Sequence, residues 1–399
     1  MKKNTISIEE ILGRGVDQVL PSKKGLTKLM NEKKITLYLG IDPTGAVLHL
    51  GHSVVLRKLQ QFASMGHNVI LLIGNGTVKI GDPTGRDTTR PVLTSDQIEK
   101  NFKNWKKQAS KILDFSKITI KRNGDWLDKL TMPEMVRLLA KTTIQQLLER
   151  DMFQERMKKN LPIFGHEVLY PMLQGYDSVV MDVDLEIGGT DQTFNMMMGR
   201  NLQKIYNQRE KWVLTTPLIN GTDGRKMSKS YNNYVALTAS ANDIYGKIMS
   251  LKDELIIEYF TLLTDLDFDE VKKMNSAMKS GENPMSYKKR LAFTITKDLH
   301  DKEAAEKAQK HFEKTVQQGQ TPDQLKEVEV KEKTMSLLDL LKLCLPDESS
   351  SNIKRLIQQK AIELVDQKKI LTNPFEEINI KGNSVIRVGK RNYFKLIQV

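Results

Sequence analysis

The chain has 399 residues, enough for two or three domains, and its single cysteine, Cys344, excludes an internal disulfide or a metal site built from several thiolates, as fits a reducing cytoplasm. The formal net charge of +13 favours a polyanionic partner such as nucleic acid, although many basic proteins bind none. No apolar run is long enough to span a membrane and no apolar signal core follows the N-terminal lysines, so we expect neither secretion nor a membrane segment.

Strand and helix patterns alternate in the first part of the chain. Residues 35–41 and 68–74 predict buried parallel strands, with an amphipathic helix between them from about Leu50 to Met65. Helical periods then interrupt the pattern, and strand signals return in DSVVMDVDLEIGGTD and KWVLTTPLI. These signals predict an α/β fold, a Rossmann-like doubly wound parallel sheet over residues 1–237 with a helical insertion at about 95–165.

The remainder of the chain predicts two smaller parts. Charged helical patterns fill residues 238–316 and predict an α-helical domain. Residues 317–335 are polar and predict a linker. Residues 336–399 predict a small α+β domain, in which two short helices precede several strands.

Two histidines, His49 and His52 of the segment HLGH, stand one turn apart where the first predicted helix begins. Three interpretations are open: a metal pair, a surface helix cap and a phosphate site. A zinc pair needs a third ligand, yet the other histidines are dispersed and neither HExxH nor CxxC occurs. A surface cap leaves the Gly and Pro turn before the pair unexplained. Free N–H groups and the positive dipole end of a helix favour phosphate, so we predict a phosphate site and no protein-held metal.

A phosphate site calls for cations from elsewhere in the chain. The glycine-rich loop NGTDGRKMSKS, residues 220–230, supplies Lys226 and Lys229 after a predicted strand. A basic loop is usually just solvated, but HLGH after one strand together with KMSKS after another is a much stronger signal. The loop that begins at Gly76 does not match a Walker motif, because Asp82 and Pro83 stand where Lys and Ser or Thr are required.

HLGH, KMSKS and the stretches YLGIDPTG, IGDPTGR, YPMLQGYDSV and GGTDQTFN resemble, in their order, the motifs of the class I aminoacyl-tRNA synthetases and most closely the bacterial tyrosyl-tRNA synthetases. Residues 336–399 resemble the S4-type RNA-binding domain of that family. The resemblance implies a ligase that activates L-tyrosine with ATP and transfers it to tRNA(Tyr). It also implies a cytoplasmic homodimer joined through the insertion at 95–165, and a helical domain that contacts the anticodon stem.

The resemblance also implies a role for individual residues. The catalytic residues, which act on the phosphates, are His49, His52, Lys226 and Lys229. ATP, with Mg²⁺ on its phosphates, is held by Gly40, Asp42, Thr44, Gly51, Arg86, Arg90, Asp191 and Lys229. Tyrosine is bound by Tyr38 and Asp177 at the phenolic hydroxyl, by Asp82, Tyr170 and Gln174 at the ammonium group, and by Gln192 near the carboxylate. RNA phosphates are met by Lys354, Arg355, Arg387, Lys390 and Arg391.

Physical chemistry supports these assignments. Tyr170, Gln174 and Asp177 are spaced i, i+4 and i+7, which places them on one face of a predicted helix. An acceptor at Asp177 selects tyrosine because phenylalanine would leave it buried and unpaired. Activation needs no general base, since the ionised substrate carboxylate attacks the α-phosphate directly, and alignment and charge stabilisation lower the barrier.

Three alternatives differ from this prediction in testable ways. A non-catalytic RNA-binding relative would tolerate loss of HLGH or KMSKS, and both are intact. A small nucleotidylyltransferase would be far shorter. A tryptophanyl-tRNA synthetase normally lacks the S4-type end and needs no acceptor at Asp177. One departure from the family pattern is GNGTVK, where Lys79 replaces a more apolar run and raises the question of whether it reaches the amino-acid pocket.

Overall fold

A computed structural model describes the chain over residues 6–84, 93–229, 231–318, 321, 325–346, 348–380, 384–389 and 392–399. The chain divides into two compact units, one formed by Met1–Ser240 with Lys247–Asp301 and the other by Ala241–Gly246 with Lys302–Val399. Within the described ranges, no helix is both long and apolar enough to cross a membrane.

A six-stranded sheet forms the centre of the first unit. Its strands are β1 (Gln18–Leu20), β2 (Thr36–Ile41), β3 (Asn68–Ile73), β4 (Ile118–Arg122), β5 (Leu185–Gly189) and β6 (Trp212–Thr216). Their order is β1-β6-β5-β2-β3-β4, and every pair is parallel except the antiparallel edge pair β1–β6. Along the parallel strands the chain runs outward from β2 through β3 to β4, and then outward on the other side through β5 to β6. This doubly wound order places a crevice between the carboxyl ends of β2 and β5.

Helices connect these strands and form a large part of the described chain. In chain order they are α1 (Ile8–Ile11), α2 (Lys23–Glu32), α3 (Leu50–Ser64), α4 (Ser95–Ala109), α5 (Gly124–Leu127), α6 (Met132–Leu139), α7 (Ile144–Leu148), α8 (Asp151–Lys158), α9 (Tyr170–Met181), α10 (Thr193–Asn207), α11 (Ala241–Met249), α12 (Ile256–Leu263), α13 (Phe268–Lys279), α14 (Pro284–Leu299), α15 (Lys302–Phe312), α16 (Leu337–Cys344) and α17 (Ser350–Gln358). Short 3₁₀ turns occur at Thr77–Lys79, Thr190–Gln192, Asp253–Leu255 and Val365–Gln367, and a π-helical turn at Glu313–Gln317.

The predicted α/β fold is confirmed, and so are the first two buried strands and the helix between them. Strand β4, however, lies inside the range predicted as a helical insertion. Its Ile118 is buried against the sheet, whereas Thr119 and Lys121 are exposed, as suits a strand at the sheet edge. The sequence ITIKR therefore carries an alternation that the stronger helical periods on either side obscured.

The second unit contains its own sheet and core. The strands β7 (Lys326–Val330), β9 (Ile362–Leu364), β10 (Lys369–Leu371), β12 (Val385–Val388) and β13 (Asn392–Gln398) form a sheet of order β10-β9-β12-β13-β7, and β8 (Thr334–Ser336) pairs with β11 (Glu377–Asn379). Helices α16 and α17 bury Leu340, Leu341, Ile353 and Ile357 against it. The end segment is thus a small α+β structure, as predicted.

Strand β7 lies within residues 317–335, the range predicted as a linker. It pairs in parallel with β13, so that Val328 faces Leu396 across the ladder. Val328 and Val330 belong to the core of the second unit, whereas the other three residues of the strand are charged and exposed. The alternation in KEVEV was the signal for this strand, and the surrounding charges masked it.

Candidate active site

A cavity of about 290 Å³ opens at the crevice between β2 and β5. Eleven of the residues implied by the resemblance line it: Tyr38, Gly40, Asp42, Thr44, His52, Asp82, Tyr170, Gln174, Asp177, Asp191 and Gln192. Most of them follow the carboxyl ends of β2 and β5 or lie on α9, whose amino end faces the same crevice. Residues from widely separated stretches of sequence are thereby brought into one pocket, at the place where a doubly wound sheet binds ligands.

The closed end of the cavity can recognise a hydroxyl group. Tyr38, in β2, is fully buried and its hydroxyl lies 2.8 Å from Ser178 Oγ. Asp177, in α9, is 2% exposed and accepts hydrogen bonds from Asn123 Nδ2 at 3.0 Å and Trp126 Nε1 at 2.8 Å. Burial raises the pKa of both the Tyr38 phenol and the Asp177 carboxyl well above their usual values. Tyr38 therefore stays protonated, and the bonds to Asn123 and Trp126 oppose the pKa shift of Asp177.

A row of hydrogen-bonded amides and carboxylates follows one wall. Gln192 Nε2 donates to Asp82 Oδ2 at 2.7 Å, and Asn195 Nδ2 donates to Gln192 Oε1 at 2.9 Å and to Gln174 Oε1 at 3.0 Å. Gln174 Nε2 in turn donates to Glu186 Oε1 at 3.1 Å. The row holds two carboxylates and several amide oxygens, which are acceptors that can bind an ammonium group.

Asp42 links the end of β2 to the helix α9. Its carboxylate accepts a hydrogen bond from Thr77 Oγ1 at 2.8 Å and another from the Tyr170 hydroxyl at 2.9 Å. Gly74, at the end of β3, makes room for it, since a Cβ there would stand 1.9 Å from Asp42 Oδ1. Asp42 thus orients Tyr170, a residue implied to bind the ammonium group of tyrosine.

The histidine pair forms the amino end of α3. His49 Nδ1 accepts from the Gly51 N–H at 3.1 Å, and His52 Nδ1 accepts from the His49 N–H at 3.2 Å. Leu50 N donates to Val235 O and His52 N donates to His49 O. The first three N–H groups of α3 therefore all have acceptors within the protein, and the prediction that they are free for phosphate is wrong. The two histidines cap the helix, as one of the alternatives above supposed, and their Nδ1 atoms are used for this.

The Nε2 atoms of His49 and His52 are hydrogen-bond donors. Because Nδ1 of each ring accepts a backbone N–H, the proton of each neutral imidazole is on Nε2. Burial and the neighbouring charges lower the pKa of His49 to about 2 and that of His52 to about 4. Lys229 is one of those charges. At neutral pH the pair therefore presents two uncharged N–H donors beside a cation.

The loop that carries KMSKS comes close to this helix end. Lys226 Nζ lies 3.2 Å from Asp191 Oδ2, and Met227 Sδ lies 3.3 Å from the Gly51 nitrogen. A Cβ at Gly45 would be 3.2 Å from Lys229 Nζ, so this ammonium lies over the turn that precedes the histidines. The two signature segments thus meet beside His52 and Asp191, both of which line the cavity.

Some implied site residues lie elsewhere. Arg86, Arg90, Lys390 and Arg391 fall outside the described residues. Gly51 does not line the cavity, and a Cβ there would stand 2.8 Å from the His49 ring, so its lack of a side chain serves the capping geometry. Lys79 forms an ion pair of 2.6 Å with Asp128, and Thr77 rather than Lys79 lines the cavity.

The implied RNA-binding residues lie in the second unit. Lys354 and Arg355 are exposed on α17, and Lys354 Nζ stands 5.9 Å from the centre of the Phe375 ring. Arg387 lies in β12 and is half-buried, with its guanidinium paired to Glu363. Two of these cations thus face solvent, whereas the third is already neutralised within the sheet.

Several polar residues around the cavity were not predicted from the sequence. Asn123 follows β4 and holds both Asp177 and Thr77, which its place after a strand end could have indicated. Arg150 donates to Thr84 Oγ1 at 2.6 Å and lies 3.7 Å from Asp82. Glu186 and Lys211 are buried together, and a charged residue inside each of two apolar strand patterns was the available signal. In the described part of the chain, no group of three or more His, Cys, Asp or Glu is placed to hold a metal ion.

Comparison with known proteins gives consistent matches. The sequence profile of the family described as tRNA synthetases class I (W and Y) matches residues 30–317. The chain is 42% identical over 389 residues to the tyrosine–tRNA ligase of Thermotoga maritima, covering 97% of this chain and 96% of that one. It is 42% identical over 390 residues to the tyrosine–tRNA ligase of Francisella tularensis, covering 97% and 98%. A C-terminally truncated mitochondrial tyrosyl-tRNA synthetase of Aspergillus nidulans shares the fold, with a TM-score of 0.65 at 22% identity over 77% of this chain and 93% of that chain.

Proposed function

This chain belongs to the class I tyrosyl-tRNA synthetases, which charge tRNA with tyrosine using ATP, and we propose that the cavity between β2 and β5 is where it does so. One observation carries the proposal. A single pocket has a hydroxyl-recognising end at Tyr38 and Asp177, and a mouth where His52 meets the KMSKS loop. Such a pocket can hold tyrosine and ATP end to end.

Tyrosine binds in the deeper part of the pocket. Its phenolic hydroxyl donates to Asp177 and accepts from Tyr38, and its ammonium group donates to Asp82, Tyr170 and Gln174. Gln192, bonded to Asp82 at 2.7 Å, is placed to orient the substrate carboxylate toward the mouth. Each of these contacts uses a donor or acceptor that already lines the cavity, so binding needs only a change of partners.

ATP binds at the mouth, with Asp42 and Asp191 near its adenosine part, and with Thr44 and Mg²⁺ at its phosphates. The tyrosine carboxylate attacks the α-phosphate, a P–O bond forms, and pyrophosphate leaves. His49 and His52 donate from Nε2 to phosphate oxygens. Lys226 leaves Asp191 and, with Lys229, neutralises the charge that develops on the pentacoordinate phosphorus and the leaving group. In the second half-reaction a ribose hydroxyl of tRNA attacks the tyrosyl carbonyl and AMP leaves.

Other segments of the chain bind the macromolecular partners, which are tRNA and a second copy of the chain. Residues 336–399 act as an S4-like RNA-binding domain through Lys354 and Arg355, and the helices within 238–316 contact the anticodon stem. Two copies of the chain pair through the insertion at 95–165, where Met132, Val136 and Ile144 of α6 and α7 are each more than half exposed. The proposal includes a cytoplasmic location, because protein synthesis consumes charged tRNA there.

Tryptophan is the substrate to exclude, because the matching family profile covers enzymes for both amino acids. The pair of Asp177 and Tyr38 favours tyrosine, since the indole of tryptophan carries no hydroxyl group: its N–H only donates and would leave the Tyr38 hydroxyl without an acceptor. We expect the purified full-length chain to exchange pyrophosphate into ATP with tyrosine alone when each of the twenty amino acids is supplied with Mg²⁺. Exchange that peaks with tryptophan, or none with any amino acid, contradicts the proposal.

Variants in the same assay separate catalysis at the mouth of the pocket from tyrosine binding at its closed end. His52→Ala and Lys226→Ala should lower the rate of adenylate formation at least about a hundredfold and leave the Kd for tyrosine nearly unchanged, because their contacts strengthen only as charge moves. Asp177→Asn should instead raise the Kd for tyrosine. Equal losses of tyrosine affinity in all three variants would show that the roles are assigned wrongly.

A further inference from the structure

A buried lysine lies behind the closed end of the cavity, and no step proposed above uses it. Lys211 precedes β6 and is 0% exposed. Its ammonium donates to Ser178 Oγ at 2.5 Å and to the carboxylate of Glu186, and it stands 5.4 Å from the centre of the Tyr38 ring. Burying an ion pair costs desolvation energy that apolar residues of the same volume would avoid, so stability alone does not account for it.

Two glycines make the space that the ammonium occupies. A Cβ at Gly199 of α10 would stand 2.6 Å from Lys211 Nζ and 2.7 Å from Ser178 Oγ. A Cβ at Gly175 of α9 would stand 2.8 Å from a methyl group of Leu202 and 3.1 Å from the Gly199 nitrogen. The close approach of α9 and α10 therefore encloses Lys211 beneath the cavity and leaves room for its hydrogen bonds.

The donors and acceptors give one branch of this network a direction. A lysine ammonium only donates, so the Ser178 oxygen accepts from Lys211. The Ser178 and Tyr38 hydroxyl oxygens lie 2.8 Å apart, and Ser178 is the donor between them because the Tyr38 hydroxyl donates to the carboxylate of Glu186. The Glu186 carboxylate lines the cavity together with Asp177, so the phenolic oxygen of a bound tyrosine can replace it as the acceptor of the Tyr38 proton.

The other branch runs to the opposite part of the tyrosine site. Glu186, paired with Lys211, accepts from Gln174 Nε2 at 3.1 Å, and Gln174 Oε1 accepts from Asn195. The Lys211 ammonium is thus linked to Tyr38 through Ser178. It is linked to Gln174 through Glu186. These are the residues assigned above to the hydroxyl and to the ammonium group of tyrosine.

We propose that Lys211 is a positioning residue for the selection of tyrosine: through Ser178 it makes Tyr38 a donor to the phenolic oxygen, and through Glu186 it orients Gln174 toward the ammonium group. This inference rests on the proposed function, because it concerns recognition within the same site. It makes the pocket specific for a hydroxyl group, since phenylalanine leaves both the Tyr38 donor and the Asp177 acceptor unpaired.

The variant Ser178→Ala tests the hydroxyl branch, because it removes the relay and keeps the pair of Lys211 with Glu186. Pyrophosphate exchange is measured for the full-length chain with tyrosine and, separately, with phenylalanine freed of tyrosine. We expect the KM for tyrosine to rise about tenfold with little change in kcat, as for the loss of one hydrogen bond, and kcat/KM for phenylalanine to stay unchanged. The preference for tyrosine then falls about tenfold.

A second variant tests the lysine itself. Lys211→Met is combined with Glu186→Gln so that no carboxylate is left buried without its cation, and the tyrosine preference should fall at least as far as in Ser178→Ala. If the double variant does not fold, Ser178→Ala alone decides. The matched control is Thr296→Val, which removes another fully buried hydroxyl, on α14, and should leave the preference as in the parent.

The outcomes distinguish this inference from the proposed function. A loss of the same factor for tyrosine and phenylalanine in Ser178→Ala would show that the network only supports packing, and it would overturn the role of Lys211 while tyrosine activation stands. A parent chain without tyrosine-dependent exchange would overturn the proposed function itself. A selective loss for tyrosine supports both.

Discussion

His49 and His52 each use one ring nitrogen for structure and leave the other for chemistry. Nδ1 of each ring accepts a backbone N–H at the start of α3, and Nε2 carries the proton. A charged imidazolium would lose that acceptor and would face Lys229. Burial first, and then the neighbouring charges, lower the pKa of His49 to about 2 and that of His52 to about 4, so both rings are neutral.

A pH dependence of stability follows at this scale. The ordinary pKa of a histidine is about 6.5 in the unfolded chain, so between pH 6.5 and the folded values the unfolded state binds more protons. The free energy of unfolding should therefore fall as the pH drops below 6.5, by up to about 1.4 kcal/mol per pH unit for each histidine. In His52→Asn, which keeps an acceptor but cannot titrate, thermal unfolding measured from pH 7 to pH 4 should show a smaller decline.

The exposed His166 provides the control for that measurement. His166→Asn should keep the decline of the parent. If His52→Asn and His166→Asn flatten the curve equally, the neutral tautomers inferred for the helix cap are wrong.

At the scale of elements, the KMSKS loop is held in place by one buried amide. Asn233 accepts from the Ser228 N–H at 2.8 Å, and its Nδ2 donates to Asp223 Oδ1 at 2.7 Å and to the carbonyl of Lys226 at 3.1 Å. Gly221 allows this packing, because a Cβ there would stand 2.4 Å from the Asn233 amide carbon. Loop and amide together fix the backbone from which both lysines extend.

Removal of this amide should loosen the loop and leave the tyrosine pocket intact. In Asn233→Ala we expect adenylate formation to slow about tenfold to a hundredfold, since misplaced catalytic groups lose alignment, with the Kd for tyrosine unchanged. Asn233→Asp should be impaired as well, because its carboxylate faces Asp223 and can no longer donate. Pre-steady-state adenylate formation and equilibrium dialysis provide the two measurements.

Asn104→Ala, on the exposed face of α4, is the matched control and should behave as the parent. A fall in tyrosine affinity in Asn233→Ala equal to the fall in rate would contradict a role confined to the loop.

At the scale of the whole molecule, the candidate active site and the proposed RNA-binding segment belong to different units. Every described residue of the cavity lies in the first unit, and the core of the end segment, from Val328 to Leu396, lies in the second. Because β7 pairs with β13, the end segment begins about ten residues earlier than Ser336, the boundary that the sequence predicts.

Truncation should separate the two half-reactions. A chain that ends at Gln318 should keep adenylate formation, whereas transfer to tRNA should drop sharply and the salt dependence of RNA binding should become shallower, because cations that contact phosphates are removed. A chain that ends at Met335 retains β7 without its partner, and we expect it to aggregate more because Val328 and Val330 become exposed. Undiminished aminoacylation after truncation at Gln318 would exclude the RNA-binding role, and loss of adenylate formation would make the end segment part of the catalytic unit.

The sequence by itself determined the strongly periodic elements and the motifs of this protein. Strands β2 and β3, helix α3 and the spacing of Tyr170, Gln174 and Asp177 follow from periodicities that neighbouring residues carry, and the signature segments follow from residue type and order. Such signals are local, because a helix or strand shows its buried face within a few residues of sequence.

Only the tertiary structure decided which partners these residues have. That Lys211 lies beneath Tyr38, that Asn123 holds Asp177 and that β7 completes the second sheet are contacts between segments far apart in the chain. The weak alternation in ITIKR and KEVEV identifies strands only once the neighbouring strands with which they pair are known. The sequence permits many such contacts. Close packing and the need of buried polar groups for hydrogen-bond partners select among them, so a local pattern cannot predict them.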